Sequence, residues 1–92
     1  MNQRTTINHE VNVTALYFRN KECLKSFPKR MEYEGREYEF IESGLQYQIK
    51  KEDRELRLFD MTDGSSSYRL RFDLRKLNWT LVSITKNLTF SN

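Results

Sequence analysis

The residues able to do chemistry are few and scattered. Cys23 and His9 are the only thiol and the only imidazole in 92 residues. A Cys/His nucleophile pair needs the two in hydrogen-bond contact. His9 lies in a polar stretch, MNQRTTINHE, whose composition reads as a frayed end over residues 1–10. Cys23 has no second thiol for an intramolecular disulfide and no Cys/His spacing for zinc, so it reads as a small apolar residue.

The acids form two groups. Asp60 to Gly64, DMTDG, sets two carboxylates beside a glycine, a tight arrangement that can offer oxygens to a hard cation. It departs from an EF-hand loop in spacing and lacks the closing glutamate, so the expectation is a hairpin loop using Asp and Gly for turn geometry. Glu32, Glu34, Glu37, Glu39 and Glu42 could supply a general acid/base pair of the glycosidase kind. They alternate with Tyr33, Tyr38 and Phe40, which puts most of them on a solvated face. The expectation is a non-enzymatic protein with no catalytic residues, no metal site and no cofactor.

Arg57, Arg69, Arg71, Arg75 and Lys76 make the densest basic feature. In the expected strand register Arg57 opposes Arg71, and Arg69 lies beside Phe59 and Ile84. Like charges opposed on a sheet destabilise it by some tenths of a kcal/mol. A phosphate or an acidic surface would relieve the repulsion, and an exposed Phe59 could stack on bases. Against that stand a net charge of only +3 and the diagonal acids Glu55 and Asp73. Arginine stems can also lie over Val82 and Ile84. The candidate interaction surface is therefore Arg57, Phe59, Arg69, Arg71, Val82 and Ile84.

The element that must position these groups is residues 55–85. Tyr68, Leu70, Phe72 and Leu74 alternate with Arg69, Arg71, Asp73 and Arg75, the period of a half-buried strand. Similar runs flank it at Leu56–Met61 and Trp79–Thr85. Pairing Leu58 with Leu70 and Leu56 with Phe72 leaves Thr62–Ser66 as a loop. Pairing Leu74 with Trp79 and Phe72 with Leu81 completes a core side of Leu56, Leu58, Tyr68, Leu70, Phe72, Leu74, Trp79 and Leu81. Trp79 is expected to be the largest buried side chain.

Upstream, Glu34-Gly35 and Ser43-Gly44 each read as a two-residue hairpin turn. They would bring Met31 opposite Tyr38, Arg30 opposite Glu39, Phe40 opposite Tyr47 and Tyr38 opposite Ile49. Pro28 should mark a bulge or a break. Residues 11–18 have the β-branched enrichment of a strand; the alternative is a short helix within 11–27, packed on the sheet. Residues 87–92 are expected to fray.

Hydrophobic residues at 37%, with only three Gly and one Pro, place the chain among globular domains. The expected fold is all-β: one small domain over 1–92, an antiparallel up-and-down meander of about six to eight short strands in a strongly curved sheet or small barrel. The α+β arrangement is second. No apolar run suits a membrane helix and no signal-peptide core opens the chain, which suggests a cytoplasmic setting without membrane contact. The expected function is protein binding through the second sheet face or an exposed edge, to an unknown partner or a second copy. A nucleic-acid-binding barrel using the arginine stripe is the alternative.

Overall fold

The computed structural model describes residues 2–19 and 24–87, and every regular element in them is a strand. The strands are β1 (Asn2–Arg19), β2 (Leu24–Tyr33), β3 (Arg36–Glu39), β4 (Glu42–Lys51), β5 (Arg54–Thr62), β6 (Ser66–Asp73) and β7 (Asn78–Asn87). They form one antiparallel, strongly curled sheet in the order β3-β2-β1-β7-β6-β5-β4. The all-β meander expected from the sequence is what forms. The helical alternative for residues 11–27 does not occur among the described residues, where 11–19 and 24–27 are strand.

The N-terminal stretch corrects the expectation of a frayed end. Asn2–Thr6 pair with Ser83–Asn87, and His9–Val11 pair with Trp79–Leu81. Asn8 takes a left-handed φ of 52°, where the register shifts between Thr6 and His9. Asn is among the few side chains that tolerate that conformation. Beyond Val11 the strand changes partner, and Asn12–Arg19 pair with β2. One long strand thus serves both halves of the sheet. Asn87 is the last residue of β7, and residues 88–92 lie outside the described region.

The first hairpin is as expected. Glu34 and Gly35 both have positive φ, and Met31 opposes Tyr38 while Arg30 opposes Glu39. Pro28 lies next to a register shift: Thr14 pairs with Arg30 and Ala15 with Pro28, leaving Lys29 as the extra residue. The second predicted hairpin does not exist. Ser43 and Gly44 sit inside β4, so Phe40 does not oppose Tyr47, nor Tyr38 Ile49. Instead of turning back, the chain crosses from one half of the sheet to the other. The Phe40 amide donates to the Lys29 carbonyl at 2.9 Å, and the Ile41 amide donates to the Thr62 carbonyl at 2.9 Å. A Cβ at Gly44 would meet the Asp60 carbonyl oxygen at 3.4 Å, an ordinary contact, beside the point where the β4–β5 register shifts.

The β5–β6 register also differs, by one residue. Phe59 pairs with Leu70, Met61 with Tyr68 and Leu58 with Arg71. The cause is the loop, which is shorter than Thr62–Ser66. The Asp63 carboxylate accepts from the Ser65 and Ser66 amides, both at 2.9 Å, and the Thr62 hydroxyl donates to the Ser66 carbonyl at 2.8 Å. Tightening the loop draws each strand past its partner, and one step turns a strand inside out. Leu56 and Leu58 therefore leave the core side and Phe59 and Met61 enter it. In the last hairpin Phe72 opposes Trp79 and Leu70 opposes Leu81, a two-residue shift that preserves the faces. Leu74 falls in the turn.

The core is Val11, Met31, Phe40, Phe59, Met61, Tyr68, Leu70 and Leu81. Aromatic rings group at its two ends. Tyr38 and Phe40 each lie 5.5 Å from Tyr68, while Phe59 and Phe72 lie 5.3 and 4.8 Å from Trp79. Trp79 is half-buried, and the largest fully buried side chain is Phe59, at 2% exposure. Replacing Phe59 by Ala should cost about 3–5 kcal/mol in urea unfolding, the range for a buried phenylalanine. A loss below about 0.5 kcal/mol, the range for exposed sites, would contradict this register.

Candidate functional site

The six residues expected to share a surface are divided by the fold. Phe59 is buried and Ile84 is half-buried against the core, opposite Tyr68. Arg57 pairs with Phe72 on the same, concave side, so it does not oppose Arg71. Arg69 and Arg71 stand on the outer, convex side, opposite Asp60 and Leu58. Val82 is the extra residue where the β6–β7 register shifts. The one-residue step in the β5–β6 register, together with this bulge, separates the six.

The arginine stripe is further broken by ion pairs. Arg69 donates to both oxygens of Asp60, at 2.8 and 3.1 Å, and this fork holds its charge firmly. Arg75 reaches Asp53 at 2.7 Å, and Arg54 reaches the buried Asp73 at 3.2 Å. Arg30 and Glu39, though opposed in register, make no ion pair within 4 Å. The stripe offers an anion less free charge than the sequence suggests.

Both acids of DMTDG are consumed by the scaffold. Asp60 holds Arg69, and Asp63 closes its loop while accepting from the Tyr68 hydroxyl at 2.7 Å. Burial pushes the Asp63 carboxyl up, but the Tyr68 hydroxyl and the Ser65 and Ser66 amides outweigh it and hold the group below its ordinary value. Burial and the bond to Asp63 raise the Tyr68 phenol. Asp73 does the same work for the β6–β7 turn. The Lys76 and Arg75 amides donate to its carboxylate at 3.1 and 2.9 Å and, with Arg54, hold it below the usual carboxylate range against burial. Among the described residues no group of three His, Cys, Asp or Glu could hold a metal. Glu32, Glu34, Glu37, Glu39 and Glu42 are all exposed. His9 is exposed beside Tyr33, and Cys23 lies outside the described residues.

What the fold does assemble is an edge and an adjoining face. Among the described residues β4 has a partner on one side only, β5, and no other strand comes alongside it. Every described side chain of this ten-residue strand is exposed. Its outward residues Tyr47 and Ile49 oppose Leu58 and Leu56 of β5. These four make an apolar strip on the convex face, with Tyr47 at 39% and Ile49 at 38% exposure. Arg69, held by Asp60, lies 5.9 Å above the Tyr47 ring and stiffens that side chain. The other edge strand, β3, spans only four residues.

Sequence reasoning missed this strip because it assigned Leu56 and Leu58 to the core and Tyr47 and Ile49 to a hairpin side that does not form. The one signal available was the excess of apolar residues, more than one face of so small a sheet can bury. A groove of about 260 Å³ lies at the chain's crossing point, lined by Pro28, Phe40, Ile41 and Met61 among others. It falls below the usual size of a small-molecule pocket. No protein family, curated protein or solved structure matches this chain.

The two loop carboxylates give a pH dependence. Each has a folded pKa below its unfolded value near 4, so the stability it contributes is complete above about pH 4 and is lost as pH falls through the folded pKa. The melting midpoint should drop in that acid window. Asp63→Asn should lower the midpoint at neutral pH and flatten the acid slope; an unchanged slope would mean that the Asp63 cap contributes nothing.

Proposed function

We propose that this protein is a small non-enzymatic interaction module that takes an extended segment of polypeptide along the free edge of β4. The observation that supports this most directly is the juxtaposition of an unpartnered ten-residue edge with the exposed Tyr47 and Ile49, which lie over half-buried Leu56 and buried Leu58. In strand addition, main-chain hydrogen bonds supply affinity and alternate side chains supply selectivity. Both components are present on β4. An isolated edge without an apolar flank would bind little, and an apolar face without an edge would lack register.

A polypeptide suits the surface better than a nucleic acid. Arg54, Arg69 and Arg75 are already engaged by Asp73, Asp60 and Asp53. Arg57 and Arg71 stand on opposite faces, so they cannot follow one phosphate backbone together.

The two-residue turn Glu52–Asp53 closes on the pair Lys51 and Arg54. Counting back by the antiparallel alternation directs the amides of Gln48 and Lys50 away from β5. Random peptides displayed against the protein should therefore yield extended binders that perturb the amides of residues 46–50 in NMR spectra. Gln48→Pro, which removes one outward amide, should weaken such peptides by about tenfold or more while circular dichroism stays unchanged. Ile49→Lys should weaken them without touching the backbone. Failure to enrich any peptide, or perturbations confined to other strands, would overturn the reading.

A further inference from the structure

The charge pattern of β4 points to a particular occupant, and the inference rests on the strand-addition reading above. We propose that the edge pairs with β4 of a second copy of this chain, antiparallel, about a two-fold axis at Tyr47. The strand opens on Glu42 and closes on Lys50 and Lys51, with uncharged residues between them. The bulge between Ser43 and Gln46 fits two residues into one strand position, so Glu42 and Lys51 stand equally far from Tyr47 on the same convex face. Antiparallel pairing about Tyr47 therefore sets Glu42 of each copy against Lys51 of the other at both ends of the interface. Parallel pairing would oppose Glu42 to Glu42 and Lys50 to Lys50. Moving the axis one position, to Gln46, would oppose Glu42 to Ile49 instead. Opposed unlike charges favour a register and opposed like charges penalise it, so the pattern selects one arrangement.

Several features agree with that arrangement. Lys51, on the same convex face as Glu42, is exposed at the end of the strand and open to a second carboxylate. A two-fold axis perpendicular to the sheet keeps both convex faces on one side. Tyr47 and Ile49 of the two copies then become neighbours, backed by Leu56 and Leu58, and form one continuous apolar strip. Such pairing is isologous and covers both β4 edges, so it closes at two copies rather than growing into a fibre.

Charge exchange tests the proposal without relying on loss of association alone. Sedimentation velocity from micromolar to millimolar protein should show a monomer–dimer equilibrium that weakens as salt rises. Glu42→Lys opposes lysine to lysine, and the double variant Lys50→Glu/Lys51→Glu opposes acid to acid. Each alone should weaken self-association about tenfold, the sum of a few exposed ion pairs lost at both ends. Mixed in equal amounts, the two variants should form a heterodimer as tight as the original, because both ends are again complementary. A wild-type monomer at every concentration, or a dimer indifferent to both exchanges, overturns the proposal. A monomer that still binds selected peptides along β4 overturns self-pairing while leaving strand addition intact.

Discussion

Two consecutive amides, those of Phe40 and Ile41, hold the architecture together. In an extended chain neighbouring amides point to opposite sides. Phe40 donates to Lys29 on β2 and Ile41 donates to Thr62 on β5. A single peptide step thus ties β2 to β5, the second strand from each end of the sheet order. The side chains follow the same alternation: Phe40 enters the core at 5% exposure and Ile41 points out at 70%. Phe40 then meets Tyr68 and helps fill the interior of the curl. Deleting the first bond would leave the amide of a buried residue without its partner.

The open edge follows from this crossing. Having served β2 as β3, the chain leaves that side and runs along β5 as β4, with no other described strand on its far flank. The β1 strand makes the complementary crossing at Val11 and Asn12, passing from β7 to β2. One crossing lies within a strand and the other at a strand junction. Together they let a short chain enclose a core without a helix, and they concentrate its unpaired backbone on β4. Ordinary edge strands are blunted by charge and by bulges. β4 carries both, with lysines at one end and a register shift near Gly44, yet its middle stays uncharged and flanked by Tyr47 and Ile49.

Two buried or half-buried carboxylates settle which residues face the core. Asp63 gathers the β5–β6 loop and Asp73 gathers the β6–β7 turn, each by accepting successive backbone amides. Such caps specify loop length, loop length specifies register, and register specifies face. The consequence reaches well beyond the loops. Asp63 sends Phe59 inward and Leu58 outward, and so creates the apolar strip that flanks the edge. Asp73, together with Asp60 and Asp53, also engages arginines, leaving a surface that is less basic than its composition.

The sequence by itself determined the class of fold, because period-two alternation and β-branched residues require strands, and polar two- to four-residue connections require antiparallel neighbours. It also determined the Glu34-Gly35 hairpin, where two positive φ values and the Met31–Tyr38 pairing are local matters. It identified Tyr68, Leu70, Phe72, Trp79 and Leu81 as one side of a sheet. Only the tertiary structure decided the rest. Ser43-Gly44 reads as a turn locally, but two long-range hydrogen bonds from Phe40 and Ile41 carry the chain across instead. The β5–β6 register depended on how many residues Asp63 could gather, a hydrogen-bonding question that alternation cannot answer. The polar residues 2–10 became strand because β7 offered them an edge. The candidate site inherits each of these decisions, since an edge exists only by what fails to pair with it, and that is a property of the whole fold.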